Sequence, residues 1–216
     1  MTRNGAASRP LKAQNTWKLA GFVVANAVVF YSVVTLGQWN ASSIVDGLLK
    51  VDPGNAALSV VLPVAVIILN GLISSEGKAR LVFWRMKDPL PGSRAFSVLA
   101  QRDPRIDIDA LRKKYGQLPS VPREQNVQWY KLFRKLDSKA NVISAHQDYL
   151  LARDVTVLAF LFFITLGIGA LVLPISGLTK LGYILATLVS YLIARQSAKN
   201  YGERLVCTVL AEAETD

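Results

Sequence analysis

The sequence predicts an all-α, polytopic membrane protein in which four transmembrane helices carry a helical cytoplasmic module between spans 2 and 3. Three observations lead to this class. Apolar residues make up 51% of the 216 and charged residues only 19%, with a mean hydropathy of +0.30, which excludes a disordered polar chain and a charged coiled-coil rod. Four stretches of near-bilayer length are almost free of charge, and Lys and Arg collect very unevenly around them. The lone Cys207 excludes a disulfide scaffold.

A helix rising 1.5 Å per residue needs about 20 apolar residues to cross the hydrocarbon layer. After a tail of residues 1–18, a first hairpin (19–75) supplies spans at about 19–36 and 56–75, neither containing Asp, Glu, Lys, Arg or His. Basic residues precede the first span as in a signal peptide, but its apolar run is too long for that and no small-residue cleavage pattern follows it. A second hairpin (155–195) supplies a third span at about 155–174 and a fourth at about 178–194, with Lys180 at its interface. A C-terminal tail, 196–216, follows.

Topology follows from the cations. Residues 1–18, 76–154 and 195–216 hold 23 Lys and Arg, whereas the connections 37–55 and 175–180 hold two, Lys50 and Lys180. The expected location is therefore the bacterial cytoplasmic (inner) membrane, with both termini and the module inside. Trp17 and Trp39 flank the first span, where indole rings favour the interfaces. The Asn40-Ala41-Ser42 sequon falls in an external loop but is too common a tripeptide to argue from.

The module, 76–154, leaves the second span in residues mixed enough to continue it as helix. Asp88-Pro89-Leu90-Pro91-Gly92 ends that helix, with Pro91-Gly92 suited to the centre of a type II turn. Ile108, Leu111 and Tyr115 mark a short helix capped by Asp107 and closed by Gly116. Trp129, Leu132, Phe133 and Leu136 fall at i, i+3, i+4, i+7 in a longer helix starting near Ser120 or Pro122. After a break at 137–141 the chain runs into the third span, and no period-two alternation appears.

Candidate functional residues fall into three groups. Arg94, Arg102, Arg105, Arg112, Lys113 and Lys114 form a basic set suited to anionic membrane lipid, to a cytoplasmic protein partner, or to a nucleic acid or nucleotide ligand. The segment's net +7 is diluted by nine acids, less pure than a dedicated nucleic-acid surface. Gly182, Ala186, Ser190 and Ala194 make a small-residue stripe, continued by Ala198 and Gly202, which lets another helix approach in the bundle or in a homo-oligomer. Gly21 with Ala25, and Thr165 with Gly169, are shorter versions. Asn26 and Asn70 are intramembrane polar groups expected to bond across helices or face a wet crevice, and Pro63 should kink the second span.

No catalytic, cofactor or metal set is recognisable. Asp107 and Asp109 suit a helix N-terminus better than a metal, and His146 has no cluster of ligands around it. The expected function is thus a non-enzymatic membrane effector, anchor or scaffold, of the kind that serves bacterial stress or defence, whose module receives a partner or signal. The alternative is a small oligomeric channel or transporter, disfavoured by the absence of ionisable groups inside the spans. A membrane enzyme, resting on Asp107, Asp109 and His146, comes third.

Overall fold

The computed structural model describes residues 11–36 and 67–215. Among them there are helices and no strands. The elements are α1 (Leu11–Leu36), α2 (Ser75–Phe83), α3 (Ile108–Tyr115), α4 (Pro122–Leu136), α5 (Ala140–Phe162) and α6 (Gly177–Thr215). Between α2 and α3 lie a 3-10 turn (Pro91–Arg94), a π turn (Ala95–Leu99) and one α turn (Ala100–Arg102). Helix α5 is prolonged by a π turn (Phe163–Gly167) and a 3-10 turn (Ile168–Val172).

Three helical stretches, Asn15–Val34, Ala140–Val172 and Gly177–Thr215, are long and apolar enough to cross a membrane. They correspond to the first, third and fourth expected spans. Most of the second, 56–75, lies outside the described residues, as do Trp39, the Asn40 sequon, Pro63 and the connection 37–55. The part that is described ends differently from expectation. Residues 67–71 are helical, the chain breaks over 72–74, and Ser74 starts α2 afresh by accepting from the Gly77 N–H at 3.1 Å. A serine that can bond the backbone of a new first turn competes with continuation of the old helix.

Two clusters of buried apolar side chains join the apolar ends of α1, α5 and α6: Leu19 and Ala20 with Leu158 and Phe162, then Val33 with Ala170 and Tyr183. The outward face of α6 leaves Leu181, Leu185, Val189 and Ile193 at least half exposed. Lipid covers such a face at no cost, whereas water would not.

The larger core lies at the charged end. It gathers Val82 and Phe83 of α2, Phe96 and Leu99 of the π turn, Leu111 of α3, the α4 face Trp129-Leu132-Phe133-Leu136, and Val142 and Tyr149 of α5. Its remaining wall is the C-terminal half of α6, from Ala198 through Leu205, Val206, Val209 and Leu210 to Ala213. Residues 196–216, expected as a tail apart from the module, thus continue α6 without a break to Thr215 and complete the module's core. The apolar spacing 198, 202, 205, 206, 209, 213 buries one face, and a 79-residue segment without it would lack a wall.

Local chemistry explains the smaller elements. Asp107 caps α3 through the N–H groups of Asp109 and Ala110, and Gly116 (φ 79°) ends it. Pro122 opens α4 at a position where no N–H is needed. The corner at 88–92 is present but is not a type II turn. Gly92 has no positive φ; it is buried in the 3-10 turn, where a Cβ would lie 2.6 Å from Asn126 Oδ1 and 2.7 Å from Trp129 Cε3. Close approach of α4, and not a left-handed backbone, requires glycine there.

Candidate functional site

The most unusual chemistry sits where the apolar segments enter the charged module. Lys78, one turn into α2, and Asp154, in the middle of α5, are both buried. Lys78 Nζ donates to Asp154 Oδ1 at 3.1 Å and to Asn70 Oδ1 at 3.2 Å. Arg153 donates to the same Asp154 oxygen through Nε and Nη2 at 3.0 and 2.9 Å, and its guanidinium lies 5.9 Å from the Tyr149 ring centre. Two cations therefore converge on one carboxylate oxygen out of water. Such a network tolerates little change in the relative position of its helices, because losing the shared carboxylate leaves two buried cations without compensation.

A second polar cluster ties α2 to α6. Trp84 leaves α2 in the left-handed region (φ 51°), a costly conformation for a bulky residue. Its indole N–H donates to Tyr191 Oη at 2.9 Å, the Tyr191 hydroxyl donates to the Leu81 carbonyl at 3.1 Å, and the Arg195 guanidinium lies 3.6 Å from the indole centre. The Tyr191 hydroxyl, itself fixed by the Leu81 carbonyl, and the Arg195 guanidinium hold the strained residue in place.

Beside the charged network an aromatic cavity of about 210 Å³ opens between α4 and α5. Trp129, Phe133, Tyr149, Leu150 and Leu205 supply its apolar wall, and Asn126, His146 and Arg153 its polar contacts. His146 sits edge-on to the Phe133 ring, with centroids 5.1 Å apart. The Trp129 indole N–H is buried and has no acceptor among the described residues. A wider, more polar groove of about 570 Å³ lies between the end of α3 and α4, carrying Arg123, Glu124 and Lys131.

The six basic residues singled out from the sequence are dispersed. Arg105 pairs with Asp103, Arg112 with Asp109, and Lys114 donates to the Ala213 carbonyl at 3.0 Å. Arg102 and Lys113 are exposed. Arg94 is half-buried 5.6 Å from the Phe83 ring centre, with Nε and one Nη lacking acceptors among the described residues. Burial and the neighbouring Arg85 hold its pKa below the usual guanidinium value.

Of the two flagged asparagines, Asn70 joins the charged network, but Asn26 bonds within its own helix, donating to the Phe22 carbonyl at 2.9 Å. A carbonyl four residues back is always within reach of a helical asparagine, so no second helix is needed. The stripe Gly182, Ala186, Ser190, Ala194 is half-exposed and borders the bundle, while its extension to Ala198 and Gly202 is buried. The tightest contacts fall elsewhere. A Cβ on Gly202 would stand 2.8 Å from Phe83 Cζ and 2.9 Å from Tyr149 Cε2, and one on Gly167 would overlap the Thr187 hydroxyl. Among the described residues Gly21 and Gly169 have nothing within 4 Å, and Thr165 bonds back to Leu161 of its own helix, so those pairs mark no close crossing between described helices.

No group of three or more metal-ligating side chains occurs among the described residues. Cys207 is buried, and its thiol is pushed up to about 12, chiefly by burial.

Sequence reasoning missed the Lys78–Asp154 pair because each residue lies just outside a charge-free window, where it reads as an ordinary flanking charge. The available signal was that opposite charges flank consecutive spans at the same end, Lys78 after the second and Asp154 before the third. No family model, curated protein or solved structure matches the chain, so its geometry alone carries the functional argument.

Proposed function

We propose that the chain is a non-enzymatic integral protein of the bacterial cytoplasmic membrane, an effector, anchor or scaffold whose cytoplasmic module receives a protein partner or signal and couples it to the spans. The observation that carries this reading is the continuity of α5 and α6. Both run from the core of the charged module into the apolar end, so no flexible linker separates a receiving surface from the membrane. The exposed α3 cations Arg112, Lys113 and Lys114 and the groove beside Arg123 and Lys131 offer the partner its contacts. The half-exposed stripe at Gly182, Ala186, Ser190 and Ala194 offers a second copy of α6 a close approach, which supports a homo-oligomer.

The test uses the full chain in membrane vesicles, with Ser190→Cys crosslinked in the original background and with Arg112, Lys113 and Lys114 changed to Glu. A discrete crosslinked oligomer whose yield changes on charge reversal, with insertion intact, supports coupling between module and spans. A monomer, or a yield indifferent to the reversal, overturns it. Vesicles that remain tight to ions fit a scaffold, whereas flux that follows oligomer formation assigns the chain to the channel class.

A further inference from the structure

We infer that the loop leaving α2 is a lipid-binding surface, in which Trp84 and Met86 enter the interfacial layer of the membrane and Arg85, Lys87 and Arg195 contact the phosphate of an anionic phospholipid headgroup. The inference rests on α6 crossing the membrane, and on nothing else in the function proposed above. Position is the first observation. The exposed apolar face of α6 runs from Leu181 to Ile193, and the first charge after it is Arg195. Trp84 is fixed at that level, its indole N–H bonded to Tyr191 at 2.9 Å and its ring 3.6 Å from the Arg195 guanidinium. The loop therefore meets α6 where its lipid-facing surface gives way to charge, the depth that indole rings and the heads of long cations favour.

Exposure is the second observation. Trp84 is 60% and Met86 76% exposed, although the core of the module begins at the adjacent Phe83. The backbone is strained to present them so. Trp84 (φ 51°) and Asp88 (φ 46°) are the two non-glycine residues with positive φ among the described residues, and they bracket this segment. Strain of this kind persists where the surroundings enforce it and gathers at ligand contacts.

Charge is the third. Arg85 and Lys87 are exposed and Arg195 half-exposed, and none of them forms an ion pair among the described residues. Asp88 is the one acid in the loop, so positive charge is in excess. A soluble anion would neutralise the cations and leave Trp84 and Met86 in water. A phospholipid covers both kinds of side chain at once, its phosphate meeting the cations and its glycerol and upper acyl region the apolar groups.

The test places a nitroxide label on the full chain in nanodiscs, in a Cys207→Ala background, at Met86→Cys, at Leu185→Cys on the exposed apolar face of α6, or at exposed Gln117→Cys beside the far end of that helix. Collision with oxygen, which concentrates in lipid, is compared with collision with a neutral nickel chelate, which stays in water. Discs of phosphatidylcholine alone are set against discs with an equal share of phosphatidylglycerol. The label at 86 should read shallower than at 185 and deeper than at 117, and should lose nickel access when phosphatidylglycerol is present. Each cation near an anionic surface is worth about fivefold in affinity, so Arg85→Gln with Lys87→Gln should remove most of that response. Nickel access at 86 equal to that at 117, no effect of phosphatidylglycerol, an undiminished response in the double variant, or the same shift produced by inorganic phosphate over phosphatidylcholine discs overturns the inference. A label at 185 that lies in lipid while the one at 86 lies in water defeats the inference alone, whereas both in water defeats the reading of α6 as a span as well.

Discussion

Replacing Asp154 with Asn should be among the most damaging single isosteric changes in this protein. Asp154 Oδ1 accepts from Lys78 at 3.1 Å and from Arg153 at 3.0 and 2.9 Å, with the side chains of all three at most 12% exposed. At 3.1 Å and an effective dielectric near 20, one such pair attracts by about 5 kcal/mol, much of which is offset by the loss of hydration. Removing the carboxylate forfeits the attraction while both cations stay buried. A loss of about 3–5 kcal/mol is therefore expected for Asp154→Asn. Lys78→Met leaves Asp154 still held by Arg153, so about 1–3 kcal/mol is expected, the cost of one broken charge-assisted hydrogen bond and an exposed gap. The assay is reversible unfolding in mixed micelles with increasing denaturing detergent, followed by tryptophan fluorescence, on both single variants and the double. The double variant should be clearly less damaged than the sum of the singles, by at least about 1 kcal/mol, because the residues share one network. Additive losses, or an Asp154→Asn cost below that of Lys78→Met, would refute the assignment of Asp154 as the shared acceptor.

Four further outcomes are expected. Gly202→Ala should lower stability by about 1–3 kcal/mol in the same assay, since its Cβ would press on Phe83 and Tyr149 at 2.8–2.9 Å, whereas Gly169→Ala, with open space around it, should be neutral or stabilising. Gln125→Ala should cost about 2–4 kcal/mol, because its Oε1 accepts from the Phe96 and Ser97 N–H groups and its Nε2 reaches the Ser120 carbonyl, all near the core; a loss under 1 kcal/mol would contradict that bonding. Cys207 should resist iodoacetamide at pH 8 in the folded protein and react on unfolding, as its thiol is pushed up to about 12; rapid labelling of the folded chain would show the burial to be wrong. Asp103 is held down to about 2 by its hydrogen bonds with Arg105, so it is ionised more readily folded than unfolded. Its contribution is present above pH 4 and is lost as pH falls from about 4 toward 2, and Asp103→Asn should flatten the acid limb of a stability profile in that window.

The helical class, the three long apolar helices and the ends of α3 and α4 were legible in the sequence, since each depends on local properties. Charge-free length marks a membrane-competent helix, Asp107 and Gly116 bracket α3 through their own backbone bonds, and Trp129, Leu132, Phe133 and Leu136 declare a buried face by spacing alone. What failed was what depends on a partner distant in the chain. Gly92 looked like a turn glycine because it follows Pro91, but it is required by the approach of Trp129 from α4. Residues 196–216 looked like a tail because their apolar residues are interrupted by charges, and only packing against α2, α4 and α5 shows which face of α6 is buried.

The same division holds for the candidate site. Composition and pattern could nominate Asn70 and Trp129 as polar or aromatic residues with something to bond or cover. They could not bring Lys78 within reach of Asp154, 76 residues later, or line a cavity from α4, α5 and α6 together. Periodicity and capping are encoded within a few residues of the groups they affect, so the chain by itself determines its helices and their apolar faces. Which charges meet, where a donor is left without an acceptor and how much space remains between helices depend on three-dimensional packing, and the tertiary structure alone decides them.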